Sequence, residues 1–297
     1  MSEPLFAVAY FRRVFEVVPA RDVVTLAQLS SGLTQFLLKT KVSKAVAREK
    51  RKIEKAWQAQ RDGQPLPSRL GRAISRHVQT GGLPAGEKAV QKLLKRAKAR
   101  AKTDLRLWSP AHYTKTGRRE KENVLALSCL VLDFDDGSDP EEMSARFADH
   151  YHIVHSTWSH GPELPKYRLC LPLKRPVHSK DWAPVWNVGR QRAAELNDPA
   201  AKSTSSTFAL PASPRLDAER IGFVREAPLW DPVGMGLAAE GQAPTKLTPL
   251  AESYFRGTSG ERTLPPSQPP KVNVADFDLF GPPDEDTGWD DEFDNLF

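Results

Sequence analysis

The run Val124–Leu132 constrains this chain more than any other feature. Its apolar residues, interrupted only by Ser128, are too few to cross a membrane and too continuous for a strand with one wet face. They predict a strand covered on both faces, which requires a sheet with a packed layer on each side. The run ends in the turn signal Asp133-Phe134-Asp135-Asp136-Gly137. Asp139-Pro140-Glu141-Glu142 then predicts a helix start, with a capping Asp, Pro at the first position and acids in the first turn.

The residues that follow keep this alternation. His152–Trp158 reads as a second strand. Tyr167–Leu173 reads as a third, with Leu169, Leu171 and Leu173 on one face and Arg168 and Cys170 on the other. Ser179 is expected to cap a helix containing Trp182, Val185 and Trp186, and a short strand Thr207–Leu210 stops at Pro211. Strands alternating with helices imply an α/β or α+β sheet domain.

The front of the chain differs. Leu5–Val18 is rich in strand-forming Phe, Val and Tyr. Val23–Leu38 carries apolar residues at helical spacing, as do Lys41–Gln60 and Ala85–Lys102, with the loop Gly63–Pro67 between the last two. Residues 1–120 hold 26 Lys and Arg against 9 Asp and Glu, a net +17. Residues 271–297 hold 1 against 9, a net −8, and the stretch between is close to neutral. A front this basic predicts a polyanionic partner. The two cysteines, Cys129 and Cys170, lie in apolar runs, which excludes a disulfide scaffold or cysteine zinc site and suits a reducing cytoplasm. The N-terminus lacks a secretory signal pattern, and no run of about 18 apolar residues occurs, so no membrane partner is expected.

These patterns divide the chain into a basic, mainly helical region at 1–105, a sheet-forming core at 106–232, and a Pro/Ser-rich linker with an acidic tail, expected to be disordered, at 233–297.

Three constellations can carry chemistry. If the first buried strand continues to Asp135, Asp133 and Asp135 share a face, with their carboxylates about 7 Å apart. With no basic residue beside them in sequence, such a pair can take divalent metal through oxygen. A solvated acidic turn is the plainer alternative. Ser156-Thr157-Trp158-Ser159-His160 leaves the second strand, and Arg168 follows eight residues later. Hydroxyl, imidazole and guanidinium near carboxylates can grip a phosphate chain, although His160 alone reads more readily as an exposed turn histidine. Asp198, before Pro199, reads on its own as a turn residue. His152 and His155 hint at a metal nuclease, but a spacing of three puts them on opposite faces of a strand.

Taken in order, D-x-D-D-G after a buried strand, T-x-S-H, K-Y-R-L-C-L-P-L, a Trp helix, D-P and F-x-L-P form a series. Over roughly residues 106–215 this series resembles the archaeo-eukaryotic primase (primase-polymerase) superfamily, in particular its plasmid- and phage-borne bacterial members. Trp108-Ser109-Pro110, leading through Gly117-Arg118-Arg119 to Val124, resembles their lead-in. The resemblance implies an α+β, primase-polymerase-like core with a mixed sheet. It implies that Asp133, Asp135 and Asp198 hold Mg²⁺ or Mn²⁺. It implies that Ser159, His160 and Arg168 contact an incoming nucleoside triphosphate, for DNA-templated nucleotidyl transfer in mobile-element replication. Ser206 stands where similar proteins often carry Arg before F-x-L-P, and no Walker A sequence marks an attached helicase. A non-catalytic DNA-binding initiation factor on the same fold stays open as the alternative, with a metal-dependent nuclease behind it.

On the basic helices, Arg48, Arg51, Lys52, Lys55, Lys95 and Arg96, joined by Arg118 and Arg119, are the candidates for single-stranded or template DNA. Charge with few aromatics, Trp57 alone, suits phosphate contacts rather than base reading. In the tail, Asp276–Phe280 resembles peptides that dock sliding clamps, and Asp290–Phe297 resembles the acidic tip of single-strand-binding proteins. Either would engage a replisome partner through aromatics in a basic pocket, or the tail could fold back on the chain's own basic front.

Overall fold

The computed structural model describes residues 4–64, 68–244 and 262–267. The acidic tail, most of the linker and the centre of the Gly63–Pro67 loop lie outside them. In chain order the elements are β1 (Leu5–Phe11), β2 (Ala20–Thr25), α1 (Leu26–Thr34), β3 (Phe36–Leu38), α2 (Thr40–Arg61), α3 (Arg69–Ala101), β4 (Leu107–Ser109), β5 (Ala111–Tyr113), β6 (Val124–Phe134) and α4 (Pro140–Ala145). There follow β7 (His152–Ser156), β8 (Tyr167–His178), α5 (Trp182–Arg192), β9 (Phe208–Ala209), β10 (Ala212–Ser213), β11 (Gly222–Arg225) and β12 (Thr263–Leu264). The chain is α+β, as expected.

The central sheet has the order β11-β7-β8-β6-β5, and all its pairings are antiparallel. The buried run is β6, covered on both sides. Leu130, Leu132 and Phe134 pack with Leu169 and Leu171 under Met143, Phe147, Trp182 and Trp186. Cys129 and Val131, with Ile153 and Cys170, face Phe6, Val8, Trp108 and Phe208. This second layer is the sheet β2-β1-β4-β9, with α1 beside it. Both cysteines are free and buried, and act there as small apolar residues. Ser128 sits at a register shift, and its hydroxyl donates to Ala7 O at 2.6 Å and Pro110 O at 3.0 Å. The one polar residue in the run therefore ties the two sheets together.

α5 lies close on β6. A Cβ at Gly189 would come within 2.2 Å of Leu130 Cδ2, so only glycine lets the helix approach this far. Asp139 caps α4 by accepting from the Glu141 and Glu142 amides, as the sequence indicates.

Several expectations change. Leu5–Val18 is not one strand, because β1 stops at Phe11 and the chain turns before β2. The helix expected from Val23 begins at Leu26, where Thr25 and Gln28 form a capping box, and it stops at Thr34 so that Phe36–Leu38 can pair with β10 and β12. β3 pairs with β10 in parallel. β1 and β2, inside the stretch expected to be mainly helical, share the core of the sheet domain. β12 falls within the stretch expected to be linker. His178, not Ser179, accepts from the Lys180 amide ahead of α5.

α2 and α3 form a separate antiparallel arm around Ile53, Ala56, Ile74 and Val90. α3 begins well before the expected Ala85 and breaks at Gly81-Gly82, where Gly82 has φ 70°. Pro84 falls in the first turn after the break, where a missing N–H costs little.

Candidate functional site

Register brings the first cluster together. β6 pairs with β8 at Asp133 and Arg168, and β7 pairs with β8 at His155 and Arg168. His155, Arg168 and Asp133 therefore stand in one row across three strands, on the face toward the second sheet. Arg168 Nη2 donates to Asp133 Oδ2 at 3.1 Å, Nη1 donates to Ala209 O at 2.9 Å, and the guanidinium lies 5.5 Å from the Phe208 ring centre. The Arg168 and Asp133 side chains are 11% and 19% exposed, so their attraction is screened only in part. His155 is fully buried. Desolvation, helped by the Arg168 charge, lowers its pKa to about 3, so the imidazole is neutral.

β6 ends at Phe134, and Asp135 lies past it at the turn, 57% exposed. Its Oδ1 is 3.2 Å from Lys166 Nζ, which also donates to Asp135 O at 3.1 Å. The turn is built locally. Asp136 Oδ1 accepts from Ser138 N and Oγ, and Gly137 takes φ 93°, where a Cβ would meet Leu164 at 2.9 Å. Phe134 stacks on Tyr167 at 4.8 Å between ring centres.

The second cluster is the turn from Thr157 to Lys166. His160 Nδ1 accepts from the Lys166 amide at 3.2 Å, and Nε2 lies 3.6 Å from Glu219 Oε2. Its side chain is 2% exposed, and burial lowers its pKa against the pull of Glu219. His160 therefore closes the turn rather than facing solvent. Ser159 Oγ accepts from Lys102 Nζ at 3.1 Å. Lys102 follows α3, so the foot of the helical arm reaches this site. Desolvation lowers the Lys102 pKa, and Lys98, Arg168 and Lys166 lower it further, while Asp135 raises it.

Asp198 comes beside the first cluster through its backbone, its amide donating to Asp133 O at 2.7 Å. Its carboxylate Oδ1 instead accepts from the Ala200 amide and caps the short turn Pro199–Lys202. His152, on the other face from His155, bonds Ser144 Oγ at 2.7 Å and His150 O at 2.8 Å. The two histidines do not share a site.

Sequence reasoning alone does not single out Lys166 or Lys102. Lys166 carries a signal: it stands two before Arg168, so alternation puts both on one face. Lys102 carries none, since its partner lies 57 residues away.

A divalent ion needs carboxylate oxygens not already held by cations. Asp133 Oδ1, buried without a hydrogen-bond partner, meets that need. The other donors do not. Arg168 and Lys166 pair with Asp133 and Asp135, and Asp198 caps a turn. Among the described residues no group of three or more His, Cys, Asp or Glu side chains could hold a metal ion. As arranged, the donor set does not fit a resident divalent ion. Three cations, Lys102, Lys166 and Arg168, around two carboxylates fit an anion better.

On the arm, Arg48, Arg51, Lys52, Lys55, Lys95 and Arg96 are exposed. α2 carries eight Lys and Arg against two Asp and Glu. Lys44, Arg48, Arg51, Lys52 and Lys55 run down one face of it. Glu49 pairs with Arg48 at 3.7 Å and Lys52 at 2.9 Å. Arg118 is exposed, whereas Arg119 is drawn into the fold, 5.6 Å from the Phe11 ring centre and 3.5 Å from Thr207 Oγ1. No described helix is long and apolar enough to cross a membrane.

No curated protein matches the chain. Among solved structures it matches the AEP domain of the cyanophage S-2L primase-polymerase at 14% identity and a TM-score of 0.35, over 47% of this chain and 74% of that one. The profile of the VapE N-terminal domain family matches residues 30–206, which take in the helical arm, β6 to α5 and the site residues from Lys102 to Asp198. The chain belongs to the VapE N-terminal domain family.

Proposed function

We propose that the protein is a replication module of the primase-polymerase kind that binds DNA along its basic helical arm and a phosphate-bearing nucleotide at the sheet-end site. One observation carries this reading. Lys102, at the foot of the arm, donates to Ser159 in the turn beside Arg168 and Lys166, so the cationic arm ends at a cation-lined site. A solvated helix pair alone would have no reason to end there. Lys88, Lys92 and Lys95 recur at helical spacing on α3 and lead toward Lys102. DNA held by such a stripe is gripped through phosphates, without base reading.

Within this reading Arg168 orients the nucleotide from β8, and Ser159 and Lys102 hold its phosphates from the far side. The divalent ion implied by the resemblance, Mg²⁺ or Mn²⁺, would require Asp133 and Asp135 to release Arg168 and Lys166. A second reading, a non-catalytic initiation factor on the same fold, is favoured by that pairing of each carboxylate with a cation. Nucleotide incorporation on single-stranded DNA with Mn²⁺ and Mg²⁺ decides between them. Products from the wild type that vanish in Asp133→Ala/Asp135→Ala establish nucleotidyl transfer. No products from either, with DNA binding intact in both, establish the initiation factor. Loss of DNA binding by the wild type removes both.

A further inference from the structure

Both carboxylates of the sheet-end site are paired with cations, Asp133 keeping one unpartnered buried oxygen, and those cations come from separate elements. Arg168 comes from β8, Lys166 from the turn preceding it, and Lys102 from the foot of the arm. Lys102 hydrogen-bonds a neutral hydroxyl, Ser159 Oγ, although cations crowd it. Bringing three half-buried cations together is unfavourable unless a polyanion completes the set. Asp133 and Asp135 neutralise two of the three charges, and a phosphate chain carries more charge than both carboxylates.

We propose that the site binds the triphosphate chain of a nucleotide directly, through Lys102, Lys166 and Arg168, without a divalent ion, and that Asp135 is an internal counter-ion which the phosphates displace from Lys166. This rests on the nucleotide-binding reading above and reverses what the acidic pair contributes to it. In a metal centre the carboxylates recruit the ligand; here they compete with it. Asp135 is the one that yields, because it is exposed and lies past the end of β6, whereas Asp133 is held in the row with Arg168. Ser159 Oγ, freed when Lys102 turns to the phosphates, can donate to a phosphate oxygen. The arrangement has a signature that a metal centre lacks: removing an acid strengthens binding.

The test is equilibrium binding of a fluorescent nucleoside triphosphate to the full chain in EDTA, with inorganic tripolyphosphate as competitor. Binding is expected in EDTA, displaced by tripolyphosphate, about tenfold weaker in Lys102→Gln and severalfold tighter in Asp135→Asn. Both residues are at least partly exposed, and thermal melting of each variant checks that it folds. Saturable binding only with Mg²⁺ or Mn²⁺, abolished by Asp135→Asn, overturns the proposal. So does binding in EDTA that neither variant changes, which would put the phosphates elsewhere. Competition by a single-stranded oligonucleotide but not by tripolyphosphate overturns it as well, because the site would then hold DNA backbone. Oligonucleotide binding measured separately on the same variants reports on the DNA reading, so either idea can fail while the other survives.

Discussion

At the scale of single residues, the row His155–Arg168–Asp133 shows how position sets the worth of a charge. Asp133 and Asp135 stand two apart in sequence, yet their ion pairs differ in kind. Asp133 is mostly buried against a guanidinium that is only partly exposed, so Asp133→Ala strands a charge and should lower stability by about 2 kcal/mol in chemical denaturation. Asp135 pairs at an exposed turn, and Asp135→Ala should cost less than about 0.5 kcal/mol. His155 supplies a pH dependence. Its folded pKa lies far below that of a histidine in the unfolded chain, so the unfolded state binds the extra proton as pH falls. The stability it contributes is complete above about pH 6.5 and is lost on acidification, with a slope approaching ~1.4 kcal/mol per pH unit between about pH 6 and 4. Urea titrations across that window should show a shallower slope for His155→Leu than for the wild type. Alternation along Tyr167–Leu173 is enough to place Arg168 on the face opposite Leu169. That it meets Asp133 is not readable, because cross-strand register is decided by pairing between segments about 35 residues apart.

At the scale of elements, local signals serve where the physics is local. The continuous apolar run marks β6, and Asp139-Pro140 marks the start of α4, because burial on both faces and end-capping leave traces within a few residues. α1 and β3 read as one helix in the sequence, because apolar spacing continues through both while the pairing of Phe36–Leu38 with β10 and β12 is tertiary. The first half of α3 escapes the same reading because its apolar residues are sparse, Leu70, Ile74 and Val78 standing one turn apart. Gly189→Ala would gain about 1 kcal/mol in an isolated helix. Against Leu130, which is fully buried and cannot step aside, it should instead lose about 1–2 kcal/mol net. Combined with Leu130→Ala, the loss should be smaller than the sum of the two single variants. The arm has its own small core, so Ile74→Ala should cost it about 3 kcal/mol. Hydrogen exchange should show the loss in α2 and α3 while β6 and β8 keep their protection.

At the scale of the whole molecule, charge is distributed as the sequence implies, with a basic arm carried on a sheet domain of balanced charge. The sequence leaves open where the arm leads, and its last lysine reaches Ser159 in the turn of the candidate site. We propose that arm and site act together on phosphate-bearing ligands. The most direct test is the salt dependence of single-stranded DNA affinity for the full chain, beside the variant Arg48→Ala/Arg51→Ala/Lys52→Ala/Lys55→Ala. A steep fall of log affinity with log salt is expected for the wild type. The variant should show a slope shallower by about 0.7 for each phosphate it no longer neutralises. An affinity indifferent to salt, or a variant that binds with the wild-type slope, would contradict the account.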